Sequence, residues 1–437
     1  LQDFDQQPRA FLVGAELKRD LPLLDVEASL EELALLAHTA DIHVIGQSSQ
    51  RLDRIDPATY IGSGKVEEVR DWVEELGANV VIFDDELSPR HLRELEKIFG
   101  EEVRLLDRTA LILDIFARHA RTREGALQVE LAQYQYRLPR LTRQWTHLAR
   151  QAGGAAARGG AGGVGLRGPG ETQLETDRRD ISRRIAHIQR ELEDVRAHRS
   201  RHRMQRRKAG MPTISLVGYT NAGKSTLLNA LSGADIYVAD RLFATLDPTT
   251  RRVELPGGRH ALFTDTVGFI QKLPHTLVAS FRATLEEIVE ADLLLHVVDI
   301  THPHALQQVA VVEQTLAELG AESIPCVVVL NKMDRRGDAE PGVPESLNER
   351  YPDAIQISAL KGSGIDELLV DVEDELVKLM VRVRVMLPYK RGALIARFHE
   401  IAIVEHEEYQ AEGVALTGIL WRSQIGPYEP FQVNERS

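Results

Sequence analysis

The run from Thr213 to Leu228 constrains the fold of this chain more than any other. Thr213, Ile214, Ser215, Leu216 and Val217 alternate and branch like a short buried strand. They lead into Gly218, Tyr219, Thr220, Asn221, Ala222, Gly223, Lys224 and Ser225, a full G-x-x-x-x-G-K-[ST] match, and Thr226 then opens a helix. Gly218 and Gly223 let the backbone bend so that successive N–H groups point inward at a phosphate chain, and the helix N-terminus adds partial positive charge. Lys224 is placed to neutralise β- and γ-phosphates. Ser225 Oγ is placed to ligate Mg²⁺, a hard cation that prefers oxygen ligands. A chance glycine turn would not bring all four fixed positions together between a strand and a helix.

Two further signals lie in order downstream. Asp265, Thr266, Val267 and Gly268 close an apparent strand, with Asp265 expected to reach Mg²⁺ through a water and the Gly268 N–H to bond the γ-phosphate. Asn331, Lys332, Met333 and Asp334 follow the buried run Cys326–Leu330. The Asp334 carboxylate matches the two donors on the Watson–Crick edge of guanine, and adenine would leave it unpaired, a cost that enforces base choice. Ser358, Ala359 and Leu360 follow another short strand and are expected to offer a backbone N–H to the base oxygen. Between the first two motifs, Phe243, Ala244, Thr245 and Leu246 lie in a loop. N-K-x-D alone is a weak match, but after a P-loop and a D-x-x-G the set predicts GTP and GDP as ligands. It also predicts a doubly wound, mostly parallel sheet with the nucleotide at the carboxyl ends of the strands.

Length and charge bound the rest. The 437 residues suggest about three domains, and 43% apolar content suffices for ordinary cores. The apolar runs are too short to span a bilayer, the start does not read as a secretory signal, and the single Cys326 cannot form an internal disulfide. A cytoplasmic location is the expectation. Net charge is −13, yet residues 137–208 carry 18 Lys or Arg against 7 Asp or Glu. A basic segment in an acidic chain points to one localised polyanion contact, or to a salt-bridged, solvated helix face.

The pattern divides the chain into an N-terminal α/β domain (1–106), a helical-hairpin arm (107–210), the nucleotide domain (211–380) and a small α+β C-terminal domain (381–437). Tyr60-Ile-Gly-Ser-Gly-Lys65 reads either as a second anion site or as a simple glycine turn. In the arm, Leu127, Leu131, Tyr134, Leu138, Leu141, Trp145 and Leu148 form one heptad seam, and Ile181, Ile185, Ile188, Leu192 and Val195 form another. The glycine-rich stretch 153–170 separates them, so the two helices are expected to run antiparallel, with Pro139 interrupting the first. Arg158 and Arg167 on the loop, and Arg178, Arg179, Arg183 and Arg184 on the second helix, are candidate RNA contacts. A flexible linker between core helices is the alternative.

Gly165-Leu-Arg-Gly-Pro-Gly-Glu-Thr-Gln-Leu-Glu-Thr-Asp-Arg-Arg179 and Leu242-Phe-Ala-Thr-Leu-Asp-Pro248 resemble the HflX family of the Obg–HflX group of translation-factor-type GTPases. The resemblance implies a ribosome-associated cytoplasmic GTPase that binds the large ribosomal subunit and its rRNA and splits stalled ribosomes, with the glycine loop directed at the peptidyl-transferase region. It also implies that Thr245 is a second hydroxyl ligand of Mg²⁺ in a switch loop. Lys224, Thr245, Gly268 and Asn221 are then the expected catalytic residues. G-x-x-N-x-G-K-S resembles the P-loop of potassium-activated GTPases, in which the Asn carbonyl ligates K⁺; a turn-capping role for Asn221 is the plainer reading. A monomer is expected. A regulatory GTPase acting on a protein partner, and an RNA-remodelling NTPase that uses the N-terminal domain, remain as alternatives.

Overall fold

The computed structural model describes residues 7–19, 23–141, 169–208, 211–233, 242–243, 245–273, 282–335, 344–421 and 424–433. The N-terminal unit alternates β1 (Arg9–Leu17), α1 (Val26–Thr39), β2 (His43–Leu52), α2 (Ser63–Leu76), β3 (Val80–Phe83), α3 (Pro89–Phe99) and β4 (Arg104–Asp107). Its sheet has the order β2-β1-β3-β4, and every pairing is parallel. The chain winds outward from β1 to β2 and then returns past β1 to β3, so the carboxyl ends of β1 and β3 flank a crevice. Asp25 caps α1 by accepting the Ala28 N–H at 2.8 Å, and Leu30, Leu33, Leu36 and Ala37 put its apolar stripe into the core. Gly62 is the N-cap of α2 and Ser63–Lys65 form its first turn: the Gly62 N–H donates to Gln50 Oε1 at 2.9 Å, and Lys65 pairs with Glu68.

Asp107 caps α4 (Arg108–His119) through the Ala110 N–H at 2.8 Å. Helix α4 packs on α1 within the core of the first sheet, so the arm leaves the body at α5 (Arg123–Arg137). This helix runs antiparallel to α6 (Pro169–Lys208). Leu127 and Leu131 meet Ile188 and Leu192 in a closed seam, with Tyr134 and Ile185 at its edge. Each such buried side chain contributes about 1.5–3 kcal/mol. At Pro139 the helix gives way to a 3₁₀ turn, Leu138–Arg140, as expected where a ring removes a donor. Arg140 pins this turn to the N-terminal unit: it donates to Leu87 O at 2.7 Å and lies 3.6 Å over the Tyr136 ring. Trp145, Leu148, Arg158, Arg167 and most of the glycine-rich stretch lie outside the described residues. Pro169 and Gly170, read as loop, instead begin α6.

The third unit contains β5 (Thr213–Val217), α7 (Lys224–Ser232), β6 (Thr249–Glu254), β7 (His260–Asp265), α8 (Arg282–Val289), β8 (Leu293–Asp299), α9 (Ala305–Glu318), β9 (Cys326–Asn331), α10 (Glu345–Arg350), β10 (Ile355–Gln356) and α11 (Ile365–Lys378). Its sheet order is β10-β9-β8-β5-β7-β6, parallel except for the β6–β7 pair. Strand β6 escapes a sequence reading because an edge strand facing water needs few apolar residues; Val253 alone of its six is buried. The C-terminal unit is an antiparallel sheet β11-β13-β12, made of β11 (Met380–Leu387), β12 (Ile403–Gln410) and β13 (Gly413–Trp421), with α12 (Gly392–Ile401) packed on it. Among the described residues no helix is long and apolar enough to cross a membrane.

The first and third units share one core. Tyr219, Phe243, Leu246, Phe269 and Ile270 from the nucleotide domain pack with side chains of α1 and α4. The Phe116 and Phe243 rings meet edge to face at 4.6 Å.

Candidate nucleotide site

The motif residues converge at the carboxyl ends of β5, β7, β8 and β9. One cleft is lined by Thr220, Asn221, Gly223, Lys224, Ser225, Thr226, Phe243, Thr245, Thr266, Gly268, Asn331, Lys332, Asp334, Ala359 and Leu360. Tyr219, Leu246 and Val267 turn their side chains into the interdomain core instead, Met333 packs beneath β9, and Ala244 lies outside the described residues. Gly218 has φ 149°, and a Cβ there would strike the Val297 carbonyl. The D-x-x-G segment is laced to the P-loop: the Thr220 N–H donates to Phe269 O at 2.8 Å, and the Phe269 N–H to Gly218 O at 3.1 Å. A Cβ on Gly268 would come within 2.7 Å of Thr220 Cα and 3.0 Å of Lys224 Nζ, so the backbone can approach the cleft floor at this position only without a side chain.

Lys224 is buried and donates to the carbonyls of Gly218 (3.1 Å) and Tyr219 (2.8 Å). Burial pushes its ammonium down to about 8, against the pull of Asp265. Beneath it on β8, burial holds His296 neutral, with a pKa of about 4. The floor of the cleft therefore carries the compact positive charge of Lys224, which suits an anion.

Beside Lys224 lies an oxygen cluster. Ser225 Oγ donates to Asp265 Oδ2 at 2.6 Å and is 2.7 Å from Thr245 Oγ1. Asp265 Oδ1 is buried and has no hydrogen-bond partner among the described residues. Burial raises the Asp265 pKa, with Lys224 opposing. Two hydroxyls and an orphaned carboxylate oxygen fit a hard, oxygen-seeking cation such as Mg²⁺ and offer no soft ligand.

At the other end, Asn331 ties two loops together. Its Nδ2 donates to Ala222 O at 2.9 Å, and its Oδ1 accepts the Ala359 N–H at 3.0 Å. Lys332 pairs with Asp299 at 2.7 Å. Asp334 Oδ1 accepts from Ser358 Oγ at 2.5 Å, which orients the carboxylate at the rim of the cleft. Asn221, with φ 61°, is exposed on the opposite rim.

The sequence reading did not anticipate a buried ionic network that joins this cleft to the N-terminal unit. Arg108, 1% exposed, donates to Glu32 (2.8 Å), Asp84 (3.2 Å) and the Gln271 carbonyl (3.1 Å). Tyr219 Oη donates to Glu32 and accepts the Gln271 N–H at 3.0 Å. Lys272 bridges Asp84 (2.5 Å) and Asp85 (2.6 Å) in the crevice beside β3. Burial raises the Glu32 pKa despite Arg108, whereas Arg108 and Lys272 together hold Asp84 low against burial. The available signal was Glu32 inside an apolar helical stripe and Arg108 directly after a buried strand; charges at such positions require partners.

On the arm, Arg178, Arg179, Arg183 and Arg184 are exposed on α6. Arg179 pairs with Glu175, Arg183 with Asp180 and Arg184 with Glu130 of α5. Exposed pairs of this kind are worth about 0–1 kcal/mol.

Four family models match the chain in succession: GTP-binding GTPase N-terminal over residues 27–117, GTP-binding GTPase middle region over 119–206, 50S ribosome-binding GTPase over 213–332, and HflX C-terminal domain over 346–423. The GTPase HflX of Caldanaerobacter subterraneus is 48% identical over 390 residues, covering 89% of this chain and 87% of its own length. That of Escherichia coli is 43% identical over 410 residues, covering 94% and 92%. Among solved structures, the SsGBP–GDP complex aligns over 85% of this chain and 99% of its own, with 24% identity and a TM-score of 0.47.

Proposed function

The chain belongs to the HflX family of GTPases, and on that premise we propose that it is a cytoplasmic, GTP-switched factor that binds the large ribosomal subunit and splits stalled ribosomes. The observation that carries this beyond GTP hydrolysis is the arm. It is rooted by Arg140 on the N-terminal unit, its seam is closed by four apolar side chains, and its second helix turns arginines to solvent. An Arg-rich helix suits rRNA phosphates, which supply affinity that falls with salt. The family model that matches residues 213–332 is described as a 50S ribosome-binding GTPase.

In this reading the P-loop amides and Lys224 bind the phosphates, Asp334 reads guanine, and Ser225, Thr245 and Asp265 hold Mg²⁺. When bound, that ion offsets charge developing on the phosphate oxygens. Lys224, already aimed by two carbonyls, gives its charge to the β- and γ-phosphates. The Gly268 N–H is assigned to the γ-phosphate, and the Thr245 hydroxyl to Mg²⁺ only when γ-phosphate is present. Phe269 occupies the position where the small-GTPase template has a water-orienting Gln. It is 2% exposed and packed in the interdomain core, so it cannot orient a water and intrinsic turnover is slow. Large subunits are the main activator in this account. A potassium ion ligated by the Asn221 carbonyl is a second source of charge, favoured by that residue's place on the cleft rim. Co-sedimentation tests the ribosome reading: the protein pellets with large subunits in a non-hydrolysable GTP analogue and less in GDP, with a steep salt dependence. Absence of pelleting in either state would turn the reading toward a protein partner.

A further inference from the structure

Asp247 lies two residues beyond Thr245, and its carboxylate faces away from the nucleotide cleft. It accepts the Arg121 N–H at 2.9 Å and the Thr122 N–H at 2.8 Å, and the Thr122 hydroxyl donates to it as well. Thr122 is itself the cap of α5, accepting the Gly125 N–H at 3.0 Å. Thr122 thus caps the first helix of the arm, and Asp247, from the switch segment of another domain, holds that cap residue and the Arg121 amide before it. A carboxylate suits that place because helix N-termini carry unpaired amides and partial positive charge. The approach is close: a Cβ on Gly125 would collide with Asp247 Oδ1, so glycine is accepted in the first turn despite its cost to a helix.

The same short segment is held on its other side. Leu246 is buried in the interdomain core, Phe243 packs on Phe116, and the Thr245 hydroxyl lies 2.7 Å from Ser225 Oγ. Thr245 thus reaches the oxygen cluster while Asp247, on the opposite face, reaches the root of the arm. With one residue between them, neither anchor can shift far without the other.

We propose that Asp247 is a positioning residue for GTP hydrolysis: its grip on the α5 N-terminus holds Thr245 on the Ser225–Asp265 cluster, and so links the phosphate site to the seating of the arm. The first half of this proposal rests only on GTPase activity; the second half rests also on the arm being the ribosome-contacting element. Coupling of this kind is reciprocal, so a change at Thr122 acts on the nucleotide as a change at Asp247 acts on the arm.

The test uses the full chain without ribosomes. Asp247→Ala and Thr122→Val each lower kcat for GTP about tenfold or more, leave GDP affinity within about twofold of wild type, and do not add in the double variant. Asp247→Asn, whose carbonyl still accepts both amides, keeps most of the rate. Hydrogen exchange of the peptide spanning 120–125 is slower with a GTP analogue than with GDP in wild type, and equal in both nucleotides in Asp247→Ala. Additive effects, an unchanged kcat, or GDP affinity falling in step with kcat would overturn the positioning role. Exchange independent of nucleotide in wild type would overturn the link to the arm. Because neither readout involves ribosomes, a failure here is distinct from a failure of ribosome binding.

Discussion

The charge on Lys224 gives a prediction whose size follows from its surroundings. Its ammonium lies in the closed floor of the cleft with two carbonyls for company, and burial brings it from 10.5 down to about 8. At 1.36 kcal/mol per pKa unit, keeping the charge in the free site costs about 3 kcal/mol. The sign is that of a depressed lysine. Folding loses stability as the pH falls from the unfolded value toward 8, because the unfolded chain binds the proton more readily in that interval. Phosphate binding reverses the cost, since a diphosphate beside Nζ favours the charged form and raises its pKa again. Nucleotide affinity is therefore flat below about pH 8 and falls above it, by about tenfold between pH 7 and pH 9. Fluorescent GDP titrated across that range measures it, with Lys224→Met as the control that binds more weakly and shows no such slope. Asp265 and Lys332 also act on Lys224, but the first raises its pKa and the second lowers it, so they partly cancel. A wild-type profile flat to pH 9 would refute the argument that Lys224 is held charged at a cost and relieved by phosphate.

Other outcomes follow from single side chains. Asp334→Asn removes a charged acceptor from the guanine edge, so GTP affinity falls about a hundredfold or more while xanthosine triphosphate is gained; competition binding decides, and retained GTP preference would exclude Asp334 as the base reader. Arg108→Ala strands Glu32 and Asp84 without their shared cation, a loss of about 3–5 kcal/mol that lowers the first denaturant midpoint; an unchanged midpoint would show that the network does not hold the two units together. Hydrolysis runs faster in KCl than in NaCl, and Asn221→Ala abolishes the difference; equal rates in both salts would remove the cation reading.

Much of this architecture could be read from residue types, for a physical reason. A P-loop fixes its own strand, turn and helix, because Gly218 must clear the Val297 carbonyl and Lys224 must open the helix. Parallel strands buried on both faces, such as Val80–Phe83, announce themselves as continuous apolar runs. Edge strands do not: β6 and β12 are too polar to stand out from the residue pattern. The seams of α5 and α6 were legible as heptads, but α4 packs into the body because its apolar face meets α1, a tertiary choice that period alone does not reveal. At the site, local motifs placed the phosphate, oxygen-cluster and base ends around one cleft. The contacts joining domains were hidden. Arg108 and Glu32 are 76 residues apart, and Asp247 lies 125 from Thr122, so their partners are set by how the two units dock, which no local pattern encodes.

Light scattering of assembled ribosomes tests the central claim most directly. The protein with GTP lowers the scattering as subunits separate. A variant lacking Gly153–Gly163 binds GTP with unchanged affinity and leaves the scattering where it was. Splitting that persists without those residues would contradict the account, because the glycine-rich stretch would then be a connector and the arm would not be the part of the molecule that acts.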